Sequence, residues 1–233
     1  FGEGYWVDHW TYLLDLIETY LALYPEDRSQ LLFADHSYTF YDSYVKVQPR
    51  SRKYVLTPAG PKQTGALIVD AEKKKLIDSR KVFPYVVRKE NGRGEIYRTN
   101  LFVVLFTLLL NKLSSLDPAG IGLEMEAGKP GWDDAMNGLP GLFGSSTPET
   151  MELLRLVRFL QETLAQHLKT AAPSAGVKVP TEVFAFYQGL GSLLPAAQPA
   201  PTGNGSEAAL EYWAAATSLR EEYREKAFLG FAG

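Results

Sequence analysis

The chain has 233 residues, of which 45% are hydrophobic and 12% aromatic, so it can bury a sizeable core and is not disordered. Its net charge of −3 gives no polycationic surface, and we therefore expect no nucleic-acid partner. The chain contains no cysteine, which excludes disulfides, cysteine-based zinc sites and thiol nucleophiles.

The N-terminal segment predicts a helix that starts after Asp8 as N-cap and ends at Pro25. Its apolar side chains recur at three- and four-residue steps, and they are Leu13, Leu14, Ile17, Tyr20, Leu21 and Tyr24. Trp6, Asp8 and His9 then share a helix N-terminus, whose partial positive charge suits anionic or hydroxyl-rich ligands. An aromatic staple capped by Asp8 explains the same residues without a ligand, and this segment alone favours that explanation.

Between residues 34 and 100 the helical period is lost and short strands are predicted. These strands cover residues 54–57, 65–69, 83–88 and 94–98, with a turn at Asn91 and Gly92. Basic residues at Arg50, Arg52 and Lys53 could attract an anion. The run 73–75 is predicted to be a solvated face. We interpret this region as a β-containing insertion between two helices.

Helices follow the insertion. Asn100 or Thr99 starts a helix that is apolar nearly all round, as expected when both sides are covered, and that is too short to span a bilayer. Thr147 as N-cap and Pro148 at the first helical position start the next helix. Two more helices are predicted from Val179 and from residues 206–207. The chain is therefore predicted to be mainly α.

Residues 122–146 form a long segment rich in glycine, with Pro130 and Pro140, that cannot be one helix or strand. Its spacing does not match a phosphate-binding loop, and the chain offers neither a metal-ligand cluster nor a serine-hydrolase elbow. Asp133 and Asp134 adjoin Trp132, and a carboxyl beside an indole suits a general acid acting on sugars. A structural turn capped by the same acids is the alternative, and spacing alone favours it.

The sequence Gly-Trp-Asp-Asp-Ala-Met-Asn at 131–137 resembles the Gly-Asp-Trp-Asn-Asp-Gly-Met-Asn signature of cellobiose phosphorylase-like inverting glycoside phosphorylases. The longer run 128–146 is most similar to long-chain relatives of that family, which act on β-glucan oligosaccharides. The segment 4–10, Gly-Tyr-Trp-Val-Asp-His-Trp, resembles the Asp-Asp-His-Leu-Trp helix start of the family. The two segments cover a small part of the chain, and their order agrees with the family.

The resemblance implies an (α/α)6 barrel of the six-hairpin glycosidase type, with its active site at one end. It implies that Asp134 is the general acid, while inorganic phosphate is the co-substrate and no other cofactor or metal is needed. Asp133 stands where the family usually has Asn, so two adjacent acids could couple. The substrate-binding residues are expected to be Trp132, Asp133, Asn137, Trp6, Asp8, His9, Glu126 and Lys129.

On this interpretation residues 1–33 hold a barrel helix, residues 34–100 the insertion, and residues 101–233 further barrel helices with the catalytic loop 122–146. The phosphate-binding elements of the family are not matched, and the predicted helices are too few for a complete barrel. We therefore expect part of a longer polypeptide, or further chains, as partners beside an oligosaccharide, with no membrane and a cytoplasmic location. A hydrolase or transglycosylase on the same barrel, and a non-catalytic carbohydrate-binding segment, remain alternatives.

Overall fold

The structure is a computed structural model that describes residues 7–63, 67–124, 145–170, 176–194 and 207–232. Helices predominate in these residues, which confirms the prediction of a mainly α chain. The helices are α1 (Val7–Leu23), α2 (Arg50–Lys53), α3 (Ala71–Asp78), α4 (Lys89–Gly92), α5 (Leu101–Leu113), α6 (Thr147–Thr170), α7 (Thr181–Leu193) and α8 (Glu207–Phe228). A 3₁₀ turn, Pro25–Asp27, and a π-helical turn, Gln30–Ala34, follow α1.

Six short strands form three antiparallel pairs in the described part of the chain. The strands are β1 (Val45–Val47), β2 (Tyr54–Thr57), β3 (Gly60–Gln63), β4 (Leu67–Val69), β5 (Leu123–Glu124) and β6 (Ser145–Ser146). The pairs are β1 with β4, β2 with β3, and β5 with β6. Because each pair has only two strands, the core is built by the helices and not by a sheet.

The apolar helix α5 lies at the centre and contributes to two hydrophobic clusters. One cluster joins α5 to α1 and α6 through residues such as Leu105, Leu14 and Leu156. The other joins α5 to α7 and α8 through residues such as Val103, Phe186 and Tyr223. Since α5 is covered on both sides, its nearly continuous apolar sequence is explained. Each fully buried Leu or Val side chain contributes about 1.5–3 kcal/mol relative to an exposed one.

Asn100 caps α5, as predicted. Its Oδ1 accepts a hydrogen bond from the Val103 N–H at 3.0 Å, and its Nδ2 donates to the Phe33 carbonyl at 3.2 Å. The side chain is 4% exposed, so it satisfies two buried backbone groups at once. This contact fixes the start of the central helix against the π-helical turn.

The predicted stripe on α1 is partly wrong. Its members Leu14, Ile17 and Leu21 are buried, and Trp10, which was not part of the predicted stripe, is buried with them. Tyr20 and Tyr24 are instead 38% and 48% exposed, and their rings contact each other at a centroid distance of 5.1 Å. The helix also begins at Val7, so Asp8 lies in its first turn and not at the N-cap.

Within residues 34–100 the predicted strand 54–57 is present as β2 and the predicted strand 65–69 is described in part as β4, but their partners β1 and β3 were not predicted. The region also contains a helix that the sequence pattern did not indicate. Asp70 caps this helix, α3, by accepting from the Lys73 N–H at 2.8 Å. The segments 83–88 and 94–98 are not regular strands, and they meet at the isolated bridge of Arg88 with Ile96. The predicted turn between them is present, because Asn91 and Gly92 both have positive φ, at 53° and 85°.

Lys73 does not belong to a solvated face, which corrects the prediction for residues 73–75. It is 5% exposed, and its Nζ lies 2.9 Å from Oδ1 of the buried Asp42. Arg80 Nη1 donates to the other Asp42 oxygen at 2.7 Å. Lys74 and Lys75 are exposed and pair with Asp78 and Glu72 on the same helix. The three consecutive lysines thus differ in burial, because helical geometry turns Lys73 toward the interior and leaves Lys74 and Lys75 in solvent.

Candidate functional site

The loop predicted to be catalytic begins and ends at the same place, the strand pair β5–β6, which we call the stem. Leu123 pairs with Ser146 and Glu124 pairs with Ser145. On its other side, β5 contacts residues 115–117: the Glu124 N–H donates to the Ser115 carbonyl at 2.7 Å, and Leu123 forms a bridge with Leu116. The two ends of the segment between 124 and 145 are therefore held together.

Asp117 organises the turn that leads into the stem. Its carboxylate accepts from the backbone N–H groups of Ala119 at 2.8 Å, Ile121 at 3.1 Å and Gly122 at 2.7 Å. Burial raises the pKa of this carboxyl, but hydrogen bonds from Ser145 and from the three backbone groups outweigh burial and lower it overall. The charged form of Asp117 thus connects β6 to the turn before β5.

Gly122 is required by close packing in the stem. A Cβ at this position would lie 2.9 Å from the carbonyl carbon of Ser146 and 3.0 Å from its oxygen. Only glycine therefore lets the two strands approach as closely as they do.

Helix α6 starts directly after the stem. The Ser146 Oγ accepts from the Glu149 N–H at 3.3 Å, and the Thr150 hydroxyl donates to the Ser146 carbonyl at 2.9 Å. Ser146 is therefore the N-cap, one residue earlier than the predicted Thr147. The carboxylate of Glu149 also forms an ion pair with Lys112 Nζ of α5 at 2.5 Å.

Lys112 connects the end of the loop to the first turns of α1. Its Nζ lies 5.4 Å from the ring centroid of Trp10 while it is bound to Glu149. Trp10 is 3% exposed, and Lys112 and Glu149 are mostly buried. A cation over an indole face is electrostatically favourable, and more so when water is excluded. The contact brings the N-terminal part of α1 next to the start of α6, although 139 positions separate Trp10 from Glu149.

Glu124 is the last described residue before the loop, and three side chains surround its carboxylate. Arg50 Nη2 donates to both oxygens, at 2.8 and 3.2 Å, and the Trp213 indole N–H donates to Oε1 at 2.7 Å. Arg220 Nη2 lies 3.8 Å from Oε2. We call these four residues the Glu124 cluster. It ties the stem to α2 and α8.

Two further contacts hold α2 and β1 against α8. The Arg50 backbone N–H donates to Glu221 at 2.6 Å, and Lys46 pairs with Glu225 at 3.3 Å. The sequence indicates that Arg50 could attract an anion, and in the structure its anionic partner is the carboxylate of Glu124. Trp213 and Arg220 were not predicted as site residues, because nothing in the sequence of α8 distinguishes them from ordinary amphipathic positions.

Most of the predicted site residues lie outside the described part of the chain. Asp134 and its neighbours fall between 125 and 144, namely Glu126, Lys129, Trp132, Asp133 and Asn137, and Trp6 precedes the first described residue. Asp8 and His9 lie in the first turn of α1. The structure describes the backbone of these two residues but not their side chains. The structure therefore describes only the elements that flank these residues in the chain, together with their contacts: the stem, the Glu124 cluster and the Lys112 contact.

A separate cleft of about 350 Å³ opens beside the π-helical turn. Its lining includes Phe33, His36, His167 and Lys178, and the rings of Phe33 and His167 stack at a centroid distance of 3.8 Å. Within the described ranges, no group of three or more His, Asp and Glu residues has the arrangement of a metal site. The cleft shares none of its lining residues with the stem.

Comparison of the chain with protein-family models and with curated proteins gives no match. Among the helices in the described ranges, none combines the length and apolarity needed to cross a membrane.

Proposed function

We propose that the chain is a glycoside phosphorylase, or a segment of one, that cleaves β-linked gluco-oligosaccharides with inorganic phosphate and inverts the anomeric carbon. The sequence support is the resemblance of the segments 4–10 and 128–146 to that family. The structural support is the contact of Lys112 with both Trp10 and Glu149. An active site built from both segments requires them to be neighbours in the structure. Lys112 contacts Trp10, the last residue of the first segment, and Glu149, which follows the second segment by three residues.

In the proposed reaction, Asp134 donates its proton to the glycosidic oxygen. A phosphate oxygen attacks the anomeric carbon from the opposite face as the bond to the glycosidic oxygen breaks. The products are α-glucose 1-phosphate and an oligosaccharide shortened by one unit. Trp132 stacks on the sugar ring, and Asp8 and His9 bind hydroxyls near the cleaved bond. Asp133 binds a further hydroxyl of the sugar.

Further hydroxyls of the oligosaccharide are assigned to the other polar residues of the two segments. Asn137, Glu126 and Lys129 contribute from the loop, and Trp6 contributes a second aromatic surface. The co-substrate is inorganic phosphate, and no further cofactor is proposed.

The supports described above fit this chemistry because a general acid must be held in a fixed place. The stem fixes both ends of the loop, and Asp117 fixes the turn before it. Glu124 has a positioning role in the proposal and not a proton-transfer role, since both its oxygens already accept hydrogen bonds from Arg50 and Trp213.

The fold proposed with this function is part of an (α/α)6 barrel, to which α1, α5, α6, α7 and α8 contribute. Residues 34–100 are an insertion that packs against α8 through Lys46 and Arg50. The remainder of the site comes from other parts of a longer polypeptide or from further chains, and the enzyme acts in the cytoplasm.

The test is phosphate-dependent release of glucose 1-phosphate from β-glucan oligomers by the intact protein. Asp134→Asn should lower kcat by about 10²–10⁴-fold, because a positioned general acid contributes that much. Asp133→Asn is the matched control and should lower kcat less. Equal activity of wild type and Asp134→Asn would contradict the assignment of Asp134. Release of free sugar that needs no phosphate would identify a hydrolase instead.

A further inference from the structure

Three tyrosines form an exposed aromatic surface on the 34–100 region, which we call the tyrosine platform. The rings of Tyr41 and Tyr85 are parallel within 11°, with centroids 5.9 Å apart. These side chains are 52% and 40% exposed. Tyr44 extends the platform, with its centroid 6.5 Å from that of Tyr85. Neighbouring aromatic rings that remain open to water are a feature of ligand-binding surfaces more than of a core.

The backbone that carries the platform is firmly held. Tyr41 forms a bridge with Val86, and the Asp42 N–H donates to the Tyr85 carbonyl at 2.8 Å. Arg80, which is bound to the buried Asp42, also donates to the Pro84 carbonyl at 2.8 Å. The two backbone segments that carry Tyr41 and Tyr85 are thus fixed by a buried ionic network that includes Lys73. A ligand that stacks on these rings does not have to order the backbone beneath them.

An ion pair lies at the border of the platform. Lys74 Nζ lies 5.4 Å from the ring centroid of Tyr44 and pairs with Asp78 at 2.5 Å. The hydrogen bond with Asp78 raises the pKa of Lys74. The border therefore places a hydrogen-bond donor and an acceptor beside the aromatic rings, and this combination favours a polyhydroxylated ligand.

From these observations we infer that the tyrosine platform binds a β-linked gluco-oligosaccharide at a site separate from the loop 122–146. Pyranose rings stack their C–H faces on the exposed ring faces of Tyr41 and Tyr85. The sugar hydroxyls bond to the phenol group of Tyr85, to Lys74 and to Asp78. The platform lies on the region between α1 and α5 and gives a long sugar chain a second point of attachment. This inference rests on the proposed function only for the choice of a β-glucan as ligand.

The test is isothermal titration of the intact protein with cellopentaose and laminaripentaose. All variants carry Asp134→Asn, so that no sugar is consumed. Tyr41→Ala with Tyr85→Ala should remove one class of binding site or weaken its Kd at least tenfold. Tyr41→Phe with Tyr85→Phe keeps the rings and should retain most of the binding. Tyr12→Ala is the matched control, since Tyr12 is a 67% exposed tyrosine on α1.

Identical titrations of the alanine double variant and of Tyr12→Ala would overturn the inference. A fall in molar mass by light scattering in the double variant, with sugar binding unchanged, would also overturn it and would identify a protein contact. A loss of phosphorolysis alone would not overturn the inference, because sugar binding to the platform is measured in variants that do not turn over the sugar. Conversely, a chain that releases glucose 1-phosphate but does not bind sugar through Tyr41 and Tyr85 refutes the platform and leaves the proposed function intact.

Discussion

The guanidinium carbon of Arg50 lies 3.5 Å from the ring centroid of Trp213, and both side chains donate to the same carboxylate, that of Glu124. The three residues belong to α2, α8 and β5, which are far apart in the sequence. The carboxylate of Glu124 neutralises the charge of Arg50 and accepts hydrogen bonds from both Arg50 and Trp213. The stacking of the guanidinium on the indole adds a favourable cation–π contact. This relationship joins the 34–100 region and the last helix to the base of the loop.

Replacing Glu124 should therefore weaken the stem. Glu124→Gln removes the negative charge that faces Arg50 and Arg220, and we expect a loss of about 1–2 kcal/mol in the free energy of unfolding. The loss is moderate because Arg50 and Glu124 are about one quarter exposed and partly screened by water. Urea denaturation measures it. Glu225→Gln is the control, because the Glu225 side chain is 59% exposed in its ion pair with Lys46, and it should change stability by less than about 0.5 kcal/mol. Equal effects of the two substitutions would contradict the role of the Glu124 cluster.

Gly122→Ala should separate the two strands of the stem. The added methyl group would lie 2.9 Å from the Ser146 carbonyl carbon, so β5 or β6 has to move. We expect a cost of about 1–3 kcal/mol by urea denaturation and a fall in phosphorolysis. Gly191→Ala in α7 is the matched control, because a Cβ there meets nothing within 4 Å. That control should raise stability by about 0.5–1 kcal/mol, since alanine favours the helix. A Gly122→Ala variant as stable as wild type would show that the stem is not closely packed.

The lowered pKa of Asp117 predicts that the free energy of unfolding depends on pH. Its pKa is lowered in the folded state, so its charged form stabilises the fold above the ordinary aspartate pKa. That contribution is lost as pH falls through the lowered folded-state value. The difference in unfolding free energy between wild type and Asp117→Asn should therefore be largest near neutral pH and shrink toward about pH 3. Urea denaturation at several pH values measures it, and a difference that is constant or grows on acidification would contradict the prediction.

The neighbouring lysines of α3 should differ strongly in their importance. Lys73→Ala leaves a buried Asp42 with Arg80 as its remaining ionic partner, and we expect a loss of about 3 kcal/mol. Lys74→Ala removes a lysine of an exposed pair and should leave the stability nearly unchanged. Thermal unfolding followed by circular dichroism compares the two variants directly. Similar melting temperatures for both would place Lys73 in solvent, as the sequence pattern had suggested.

The helices of the core were largely predictable from local sequence. The run 101–110 is apolar except for Thr107, so α5 was expected to be covered on both sides, and Asn100 was a capping residue at its start. The turn at Asn91 and Gly92 was also predictable, because both residue types tolerate positive φ. The cap of α6 was displaced by one residue, since Ser146 and Thr147 are both good caps and the strand pairing of Ser146 decided between them.

Local sequence did not predict which charged side chains are buried or which partners they have. The sequence by itself determined a helical core, a β-containing region and a glycine-rich loop, because hydrophobic period and backbone preferences act over a few residues. Only the tertiary structure decided that Lys73 pairs with Asp42, that Arg50 and Trp213 hold Glu124, and that Lys112 contacts both Trp10 and Glu149. Such partners come from distant positions, and an ion pair forms where the packing of helices brings the two charges together and excludes water.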